Sequence, residues 1–280
     1  MSASREKIME LELEGENDSW DELTCIDCSV TERAIKKLCS DMNRYRKEMV
    51  ELRGRSEKLP TVTRTNLENW NVLMKTDEGY LASNAFALLT GTHFPYSKTQ
   101  CAVFVGTERG EYIAKQDYKG PLYKQVEEAF AFVLRNIRRS AKVVGLIRRE
   151  RYELPPDAIH EIIINAHCHR NFLDDACIQV ALYDDRLEVT SPGGLCNGLT
   201  LEEALNGRSK QRNRAIAEVF RQMGLIEAWG NGLKSIVKRA KEYKLPPPEF
   251  IEMPGSFRVN LYRSTATSNS LRAPARTCGY

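Results

Sequence analysis

The chain has 280 residues, of which 42% are hydrophobic and 28% are charged, and this composition predicts a soluble globular protein of one or two domains. Its formal net charge is +3, which is too small by itself to indicate a nucleic-acid binder. The sequence has no run of about 18 apolar residues, so it predicts no membrane span. The charged N-terminus lacks the apolar core of a signal peptide.

Apolar spacing in the first half of the chain predicts helices and short buried strands. Ser29 or Thr31 can cap the first helix, and Pro121 stands at the first turn of the strongest one. The predicted helices cover 30–51, 65–74, 83–89 and 121–137, and the predicted strands cover 101–105 and 143–147.

The second half of the chain continues this alternation of helices and strands. The predicted helices cover 155–170, 201–205, 213–223 and 232–243, and the predicted strands cover 178–183, 186–191 and 257–262. Interleaved helices and strands predict an α/β or α+β class with a mixed sheet. We expect the α+β form, a two-layer α/β sandwich preceded by a mainly helical segment.

The helix predicted over 155–170 has two faces of different chemistry. Ile159, Ile162 and Ile163 lie on one face, which can pack on a sheet. Glu161 and Asn165 are four residues apart and share the opposite face. An amide oxygen is a hard ligand for Mg²⁺, and a carboxylate can orient or deprotonate a water molecule, so this pair suits a metal–phosphate site. A solvated helix face is the plainer alternative.

Two glycine-rich segments follow this helix. Pro192-Gly193-Gly194 ends the strand over 186–191, where glycine lets the backbone approach a ligand, although a simple tight turn has the same pattern. Gly230-Asn231-Gly232 opens a helix whose free N–H groups could hold a phosphate. The spacing does not match a P-loop.

The order of these segments resembles the GHKL ATPase fold of DNA gyrase and histidine kinases. It is most similar to a divergent branch of Schlafen-type, Alba-associated transcriptional regulators that are often labelled RecG-related helicases. The resemblance is specific over 154–250. The motifs that carry it are Leu154-Pro155, Glu161, Asn165-Ala166, His169-Arg170, Asp185-Arg186-Leu187-Glu188, Ser191-Pro192-Gly193-Gly194-Leu195, Arg212-Asn213, Leu225-Ile226-Glu227 and Trp229-Gly230 with Gly232.

The resemblance implies ATP and Mg²⁺ as cofactors and a role for each matching residue. Asn165 corresponds to the asparagine that binds Mg²⁺ through the nucleotide, and Glu161 corresponds to the glutamate that activates water. The implied nucleotide-binding set is Asn165, His169, Gly193, Gly194, Arg212, Asn213, Gly230 and Gly232. The sequence departs from the GHKL pattern at Thr190 or Ser191, where an aspartate usually recognises adenine.

The resemblance also suggests an order of domains. Residues 1–22 are similar to the end of a preceding Alba-like domain, 23–150 form the helical and α+β first part of the ATPase-like region, 151–263 form its GHKL-like core, and 264–280 are expected to be a disordered tail. These boundaries suggest a truncated cytoplasmic regulator. DNA would then be contacted through flanking domains, a homodimer is a further expected partner, and no membrane partner is expected.

The alternatives to this interpretation differ in kind. A nucleotide-independent dimerisation or interaction module with a degenerate ATP site would share its fold, and even as an enzyme the chain would be a weak Mg²⁺-dependent ATPase rather than a helicase.

Cys25 and Cys28 with His167 and His169 invite a zinc interpretation, but no second ligand pair has suitable spacing. The chain has eight cysteines, which we interpret as reduced thiols. A basic group could meet nucleic-acid phosphates or remain a solvated helix end. It consists of Arg135, Arg138, Arg139, Lys142, Arg148, Arg149 and Arg151.

Overall fold

The computed structural model describes residues 19–25, 28–52, 60–94, 96–144, 147–196, 198–226 and 232–264. These residues form an α+β fold, as predicted. Its helices are α1 (Glu32–Leu52), α2 (Arg64–Asn69), α3 (Asn84–Thr90), α4 (Leu122–Asn136), α5 (Pro156–Cys168), α6 (Leu201–Leu205), α7 (Arg214–Gln222) and α8 (Gly232–Glu242). A 3-10 helix, Trp20–Glu22, precedes them.

The strands form one large sheet and two hairpins. They are β1 (Leu73–Thr76), β2 (Gly79–Ala82), β3 (Thr99–Phe104), β4 (Tyr112–Tyr118), β5 (Arg139–Val144), β6 (Ile147–Tyr152), β7 (Ile178–Leu182), β8 (Arg186–Pro192), β9 (Glu249–Met253) and β10 (Ser256–Tyr262). The six-stranded sheet has the order β4-β3-β7-β8-β10-β9. The β3–β7 pair is parallel and the other pairs are antiparallel, so the sheet is mixed as predicted.

Helix α5 packs one face on the centre of this sheet. Ile159, Ile162 and Ile163 are buried, as the apolar spacing predicts. Opposite them, Val180 on β7 pairs with Val189 on β8, and both side chains are buried. Removing these branched side chains from water supplies about 1.5–3 kcal/mol each, so α5 is a rigid base for the residues on its other face.

Two predicted elements differ from the structure. The helix expected over 65–74 ends at Asn69, and Asn71 adopts φ 55° before the chain enters β1. Asparagine tolerates this left-handed conformation, which turns the chain into the β1–β2 hairpin. The single strand expected over 143–147 is divided between two strands, because Val143 and Val144 end β5 and Ile147 begins β6, while 145–146 lie outside the described residues. The many charged residues of β6 hide this strand from a search for apolar alternation.

The large sheet takes strands from both sides of residue 150, because β3 and β4 precede it and β7 to β10 follow it. The division at 150 stays a prediction. Most of the predicted Alba-like remnant (1–18) and nearly all of the expected tail (265–280) lie outside the described residues. Among the helices that the structure describes, none combines the length and apolar character needed to cross a bilayer.

Candidate functional site

Helix α5 begins with proline and carries the Glu161–Asn165 pair on its partly exposed face. Pro156 occupies the first turn, where its missing N–H costs no helical hydrogen bond. Asn165 Nδ2 donates a hydrogen bond of 2.9 Å to Glu161 Oε1. The structure therefore confirms the shared face, and it brings the carboxylate and the amide into direct contact.

Gly232 lies against this pair at the start of α8. A Cβ atom at position 232 would stand 3.6 Å from Glu161 Oε1 and 3.7 Å from Asn165 Nδ2. The N-terminal end of a helix carries unpaired N–H groups and partial positive charge, which favours an anionic neighbour. Three predicted site residues, Glu161, Asn165 and Gly232, are thus brought together, whereas Gly230 lies outside the described residues.

The second glycine segment turns at the other end of α5. Gly193 has φ +94°, and its N–H donates a 2.8 Å hydrogen bond to the Gly255 carbonyl. A Cβ atom there would stand 3.0 Å from Asn171 Cβ and 3.1 Å from Asn171 N. The site therefore requires glycine for its backbone conformation and for the close approach of the segment after α5.

Arg212 joins this glycine turn to α5. Its Nε donates to the His169 carbonyl and its Nη2 donates to the Gly194 carbonyl, each at 3.0 Å. Burial and then the nearby Arg212 guanidinium lower the pKa of His169 to about 4, so its imidazole is neutral at pH 7. Arg212, His169 and Gly194 are therefore one connected group.

Asn213 makes internal contacts. Its Nδ2 donates to the carbonyls of Cys168 (2.8 Å) and Arg170 (2.9 Å), and its side chain is 1% exposed. These bonds satisfy carbonyl groups that the end of α5 leaves without helical partners. The nucleotide-binding roles of Arg212 and Asn213 stay predictions, and the contacts seen here are structural ones.

The hydroxyl groups of Ser191 and Thr190, the two residues at the expected departure from the GHKL pattern, are also engaged. Ser191 Oγ donates to the Ala166 carbonyl at 2.7 Å. Thr190 Oγ1 accepts a hydrogen bond from Arg258 Nε at 3.1 Å. Both side chains thus tie β8 to its neighbours, α5 and β10.

Sequence analysis missed two residues next to this group, Ser19 and Asp21. Asp21 is fully buried, and its Oδ2 accepts a 2.8 Å hydrogen bond from the Ile216 backbone amide in α7. Ser19 Oγ hydrogen bonds to the Arg212 carbonyl. No local pattern could reveal contacts between segments so far apart in the chain.

Two shallow grooves among the described residues lie away from the Glu161–Asn165 pair. One, of about 360 Å³, is lined by Asp184, Asp185, Pro246, Pro247, Tyr262, Arg263 and Ser264. The other, of about 300 Å³, is lined by Glu22, Asn69, Trp70, Asn71, Gln211, Arg214 and Glu218. Within the described ranges, no cluster of three or more His, Cys, Asp or Glu side chains is arranged to hold a metal ion.

Comparison with known proteins places a domain on the second half of the chain. A family model described as "Putative ATP-dependent DNA helicase recG C-terminal" matches residues 175–261. The matched region contains Gly193, Gly194, Arg212, Asn213 and Gly232, and it begins after Glu161 and Asn165. The comparison with curated proteins gives no match.

A solved structure has a similar fold. The DIP2311 protein from Corynebacterium diphtheriae is 20% identical, with a TM-score of 0.69 over 92% of this chain and 50% of that one. The chain thus spans about half the length of that protein, and the likeness concerns the fold alone. The family match by itself supports a GHKL-like ATPase domain, related to the RecG C-terminal family, over residues 175–261.

Proposed function

We propose that this chain binds ATP with Mg²⁺ at α5 and serves as the nucleotide-binding module of a transcriptional regulator. The observation that carries the proposal is the contact of Glu161 and Asn165 with each other and with Gly232 at the start of α8. A carboxylate, an amide oxygen and the N-terminal end of a helix are the groups that a Mg²⁺–phosphate ligand requires. The matched ATPase family supports the nucleotide.

The donor set fits the expected metal and nucleotide. Because Asn165 donates through Nδ2 to Glu161, its Oδ1 oxygen is directed elsewhere and suits a hard cation. When bound, Mg²⁺ would neutralise phosphate charge. The N–H groups at the start of α8 would orient the phosphates, and Glu161 Oε1 or Oε2 would accept a proton from an attacking water.

Titration calorimetry tests this function directly. Wild-type protein is titrated with ATP, ADP and a nonhydrolysable analogue, with Mg²⁺ or with excess EDTA. We expect binding that strengthens with Mg²⁺, and we expect Asn165→Ala to remove this strengthening. Glu161→Gln keeps a side-chain hydrogen-bond acceptor for Asn165, so it should bind nucleotide and lose any phosphate release.

Asn69→Ala is the control for Asn165→Ala, because Asn69 is an exposed residue at the end of α2. It should bind nucleotide as the wild type does. Absence of binding at millimolar nucleotide by a protein with a cooperative unfolding transition would refute the proposal.

Two hydrogen bonds favour a second candidate, an interaction module with a degenerate site. Asn165 already satisfies one Glu161 oxygen, and the Arg212 guanidinium already occupies the Gly194 carbonyl. In that case the fold would present flanking DNA-binding domains or a second copy of the chain. A concentration-dependent dimer, measured by analytical ultracentrifugation and indifferent to nucleotide, would support this candidate over the first.

A further inference from the structure

The segment Ser19–Glu22 caps a helix that lies far along the chain. The Ile216 amide is the third in α7, so it has no acceptor within its own helix. Asp21 Oδ2 accepts from this amide at 2.8 Å, and Ser19 Oγ accepts from the Arg214 amide at 3.3 Å. Two side chains from the start of the described chain thus perform the work of an N-cap residue.

The residue that precedes α7 does not cap it. Asn213 stands in the N-cap position and is a favourable residue there, but its side chain makes no cap hydrogen bond. Its amide is used instead at the carbonyls of Cys168 and Arg170. The start of α7 therefore depends on Asp21 and Ser19.

Ser19 has one proton and two acceptors within reach. Its Oγ lies 2.5 Å from Asp21 Oδ1, and it also hydrogen bonds to the Arg212 carbonyl. A hydroxyl can donate only one hydrogen bond. When Asp21 is ionised, its charged oxygen is the stronger acceptor, so the Ser19 hydroxyl donates its hydrogen bond to Asp21 and not to the Arg212 carbonyl. When Asp21 is protonated, it can donate to Ser19 Oγ, which leaves the Ser19 proton for the Arg212 carbonyl.

Whether Ser19 bonds to the Arg212 carbonyl affects the proposed nucleotide site, because the guanidinium of the same residue donates to the His169 and Gly194 carbonyls. We propose that Asp21 is a positioning residue of that site, and that its protonation joins Ser19 to the Arg212 carbonyl and fixes Arg212 against the glycine turn. The part of this proposal that concerns nucleotide affinity rests on the proposed function above.

The surroundings of Asp21 place its titration within an accessible pH range. Burial raises the pKa of Asp21 to about 6, against the lowering effect of the Ser19 and Ile216 hydrogen bonds. Glu22 also raises this pKa, and Glu22 is itself paired with Arg214 at 2.6 Å. The thiol of Cys168 on α5 is a further titratable neighbour, and α3, which also packs on this segment, has no charged residue.

The first experiment compares ATP affinity of the wild type and Asp21→Asn at pH 5.5 and pH 7.5. An asparagine can accept from Ile216 and donate to Ser19 at both pH values, so it imitates protonated Asp21. We expect the variant to bind about three- to tenfold more tightly at pH 7.5, the effect of about one hydrogen bond, and the two proteins to bind alike at pH 5.5. Protonation of ATP itself cancels in this comparison, and an affinity ratio that is the same at both pH values would overturn the proposal.

The second experiment uses amide hydrogen exchange and no nucleotide. At pH 7.5, Asp21→Ala should speed exchange in the first turn of α7, because it removes the cap of the Ile216 amide. It should slow exchange in the amides of Gly193, Gly194 and Leu195, because the Ser19 hydroxyl is then free to donate to the Arg212 carbonyl, as it is when Asp21 is protonated. Thr31→Ala is the matched control, because Thr31 Oγ1 caps the exposed start of α1 through the Ala34 amide at 3.1 Å. It should leave the glycine turn unchanged.

This readout separates the two proposals. If the protein binds no nucleotide, the proposed function fails, and exchange at the glycine turn still decides whether Asp21 positions Arg212. Faster exchange confined to α7 would show a simple helix cap and would overturn the inference.

Should Asp21→Ala not fold, the wild type and Asp21→Asn replace it in the exchange experiment at pH 5.5 and pH 7.5. After correction for intrinsic rates, we expect the wild type to protect the glycine turn more strongly at pH 5.5, and Asp21→Asn to protect it equally at both pH values. A wild type whose protection of the turn is the same at both pH values would also overturn the inference.

Discussion

Gly193 shows how one residue limits the geometry of the candidate site. Its φ of +94° lies in the left-handed region, and the space that a Cβ would need is already taken by Asn171. Glycine here thus serves both the backbone conformation and the close packing of β8 on the end of α5. The same position carries the turn that Arg212 holds through Gly194.

We expect Gly193→Ala to lower the free energy of unfolding by about 2–4 kcal/mol, from backbone strain and the clash with Asn171. Gly120→Ala is the matched control, because Gly120 has φ +93° and an added Cβ there would meet no atom within 4 Å. This control should cost about 1 kcal/mol from backbone strain alone. Urea unfolding of both variants measures the difference, and equal losses would show that the contact with Asn171 carries no energy.

At the scale of elements, α5 and α7 are joined by side chains rather than by a shared apolar face alone. Asn213 satisfies carbonyls at the end of α5, and Asp21 satisfies an amide at the start of α7. Each helix end thus has a partner from another part of the chain. A buried polar group that loses such a partner costs about 1–3 kcal/mol.

Asn213→Ala should therefore destabilise the protein by about 2–4 kcal/mol, because it leaves the Cys168 and Arg170 carbonyls without these hydrogen bonds. Asn206→Ala is the control, since Asn206 is exposed at the end of α6, and it should change stability by less than about 0.5 kcal/mol. Thermal and urea unfolding check both values. A loss below about 1 kcal/mol for Asn213→Ala would mean that water replaces its amide.

The contacts of α5 and α7 also show which features the sequence alone could predict. The apolar face of α5 follows from the spacing of Ile159, Ile162 and Ile163, because helical geometry alone places them together. The cap that Asp21 provides depends on tertiary contact, which no local pattern carries. The edge strands β4 and β9 were missed because their polar and exposed residues do not alternate as a half-buried strand would.

At the scale of the whole molecule, buried histidines tie stability to pH. His167 is fully buried, and its ring nitrogens hydrogen bond to the Ile163 carbonyl (2.8 Å) and to Thr99 Oγ1 (2.9 Å). Burial lowers the pKa of His167 from 6.5 to about 4. In the unfolded chain the His167 imidazole is protonated below pH 6.5, whereas in the folded chain it stays neutral down to about pH 4. The free energy of unfolding therefore falls as the pH is lowered from 6.5 to about 4.

We expect His167 to contribute about 3 kcal/mol of acid destabilisation between pH 7 and pH 4. His167→Gln should unfold with a shallower pH dependence, whereas His93→Asn, at an exposed position, should keep the wild-type slope. Asp21 acts in the opposite direction, because its raised pKa makes the protein less stable as the pH rises from 3.8 to about 6. Urea midpoints from pH 4 to pH 8 measure these slopes, and equal slopes for the wild type and His167→Gln would contradict the assignment.

The parallel pairing of β3 with β7 has a consequence for how this protein reaches its native state. Thr99 pairs with Ile178, and α4, the β5–β6 hairpin and α5 all lie between them in the chain. Such a contact has high contact order, so its loop must close before the pairing gives any stabilisation. We therefore expect the β3–β7 pairing to form late in folding. The nucleotide affinity proposed above should then appear only in the slowest refolding phase, which stopped-flow refolding in the presence of ATP would measure.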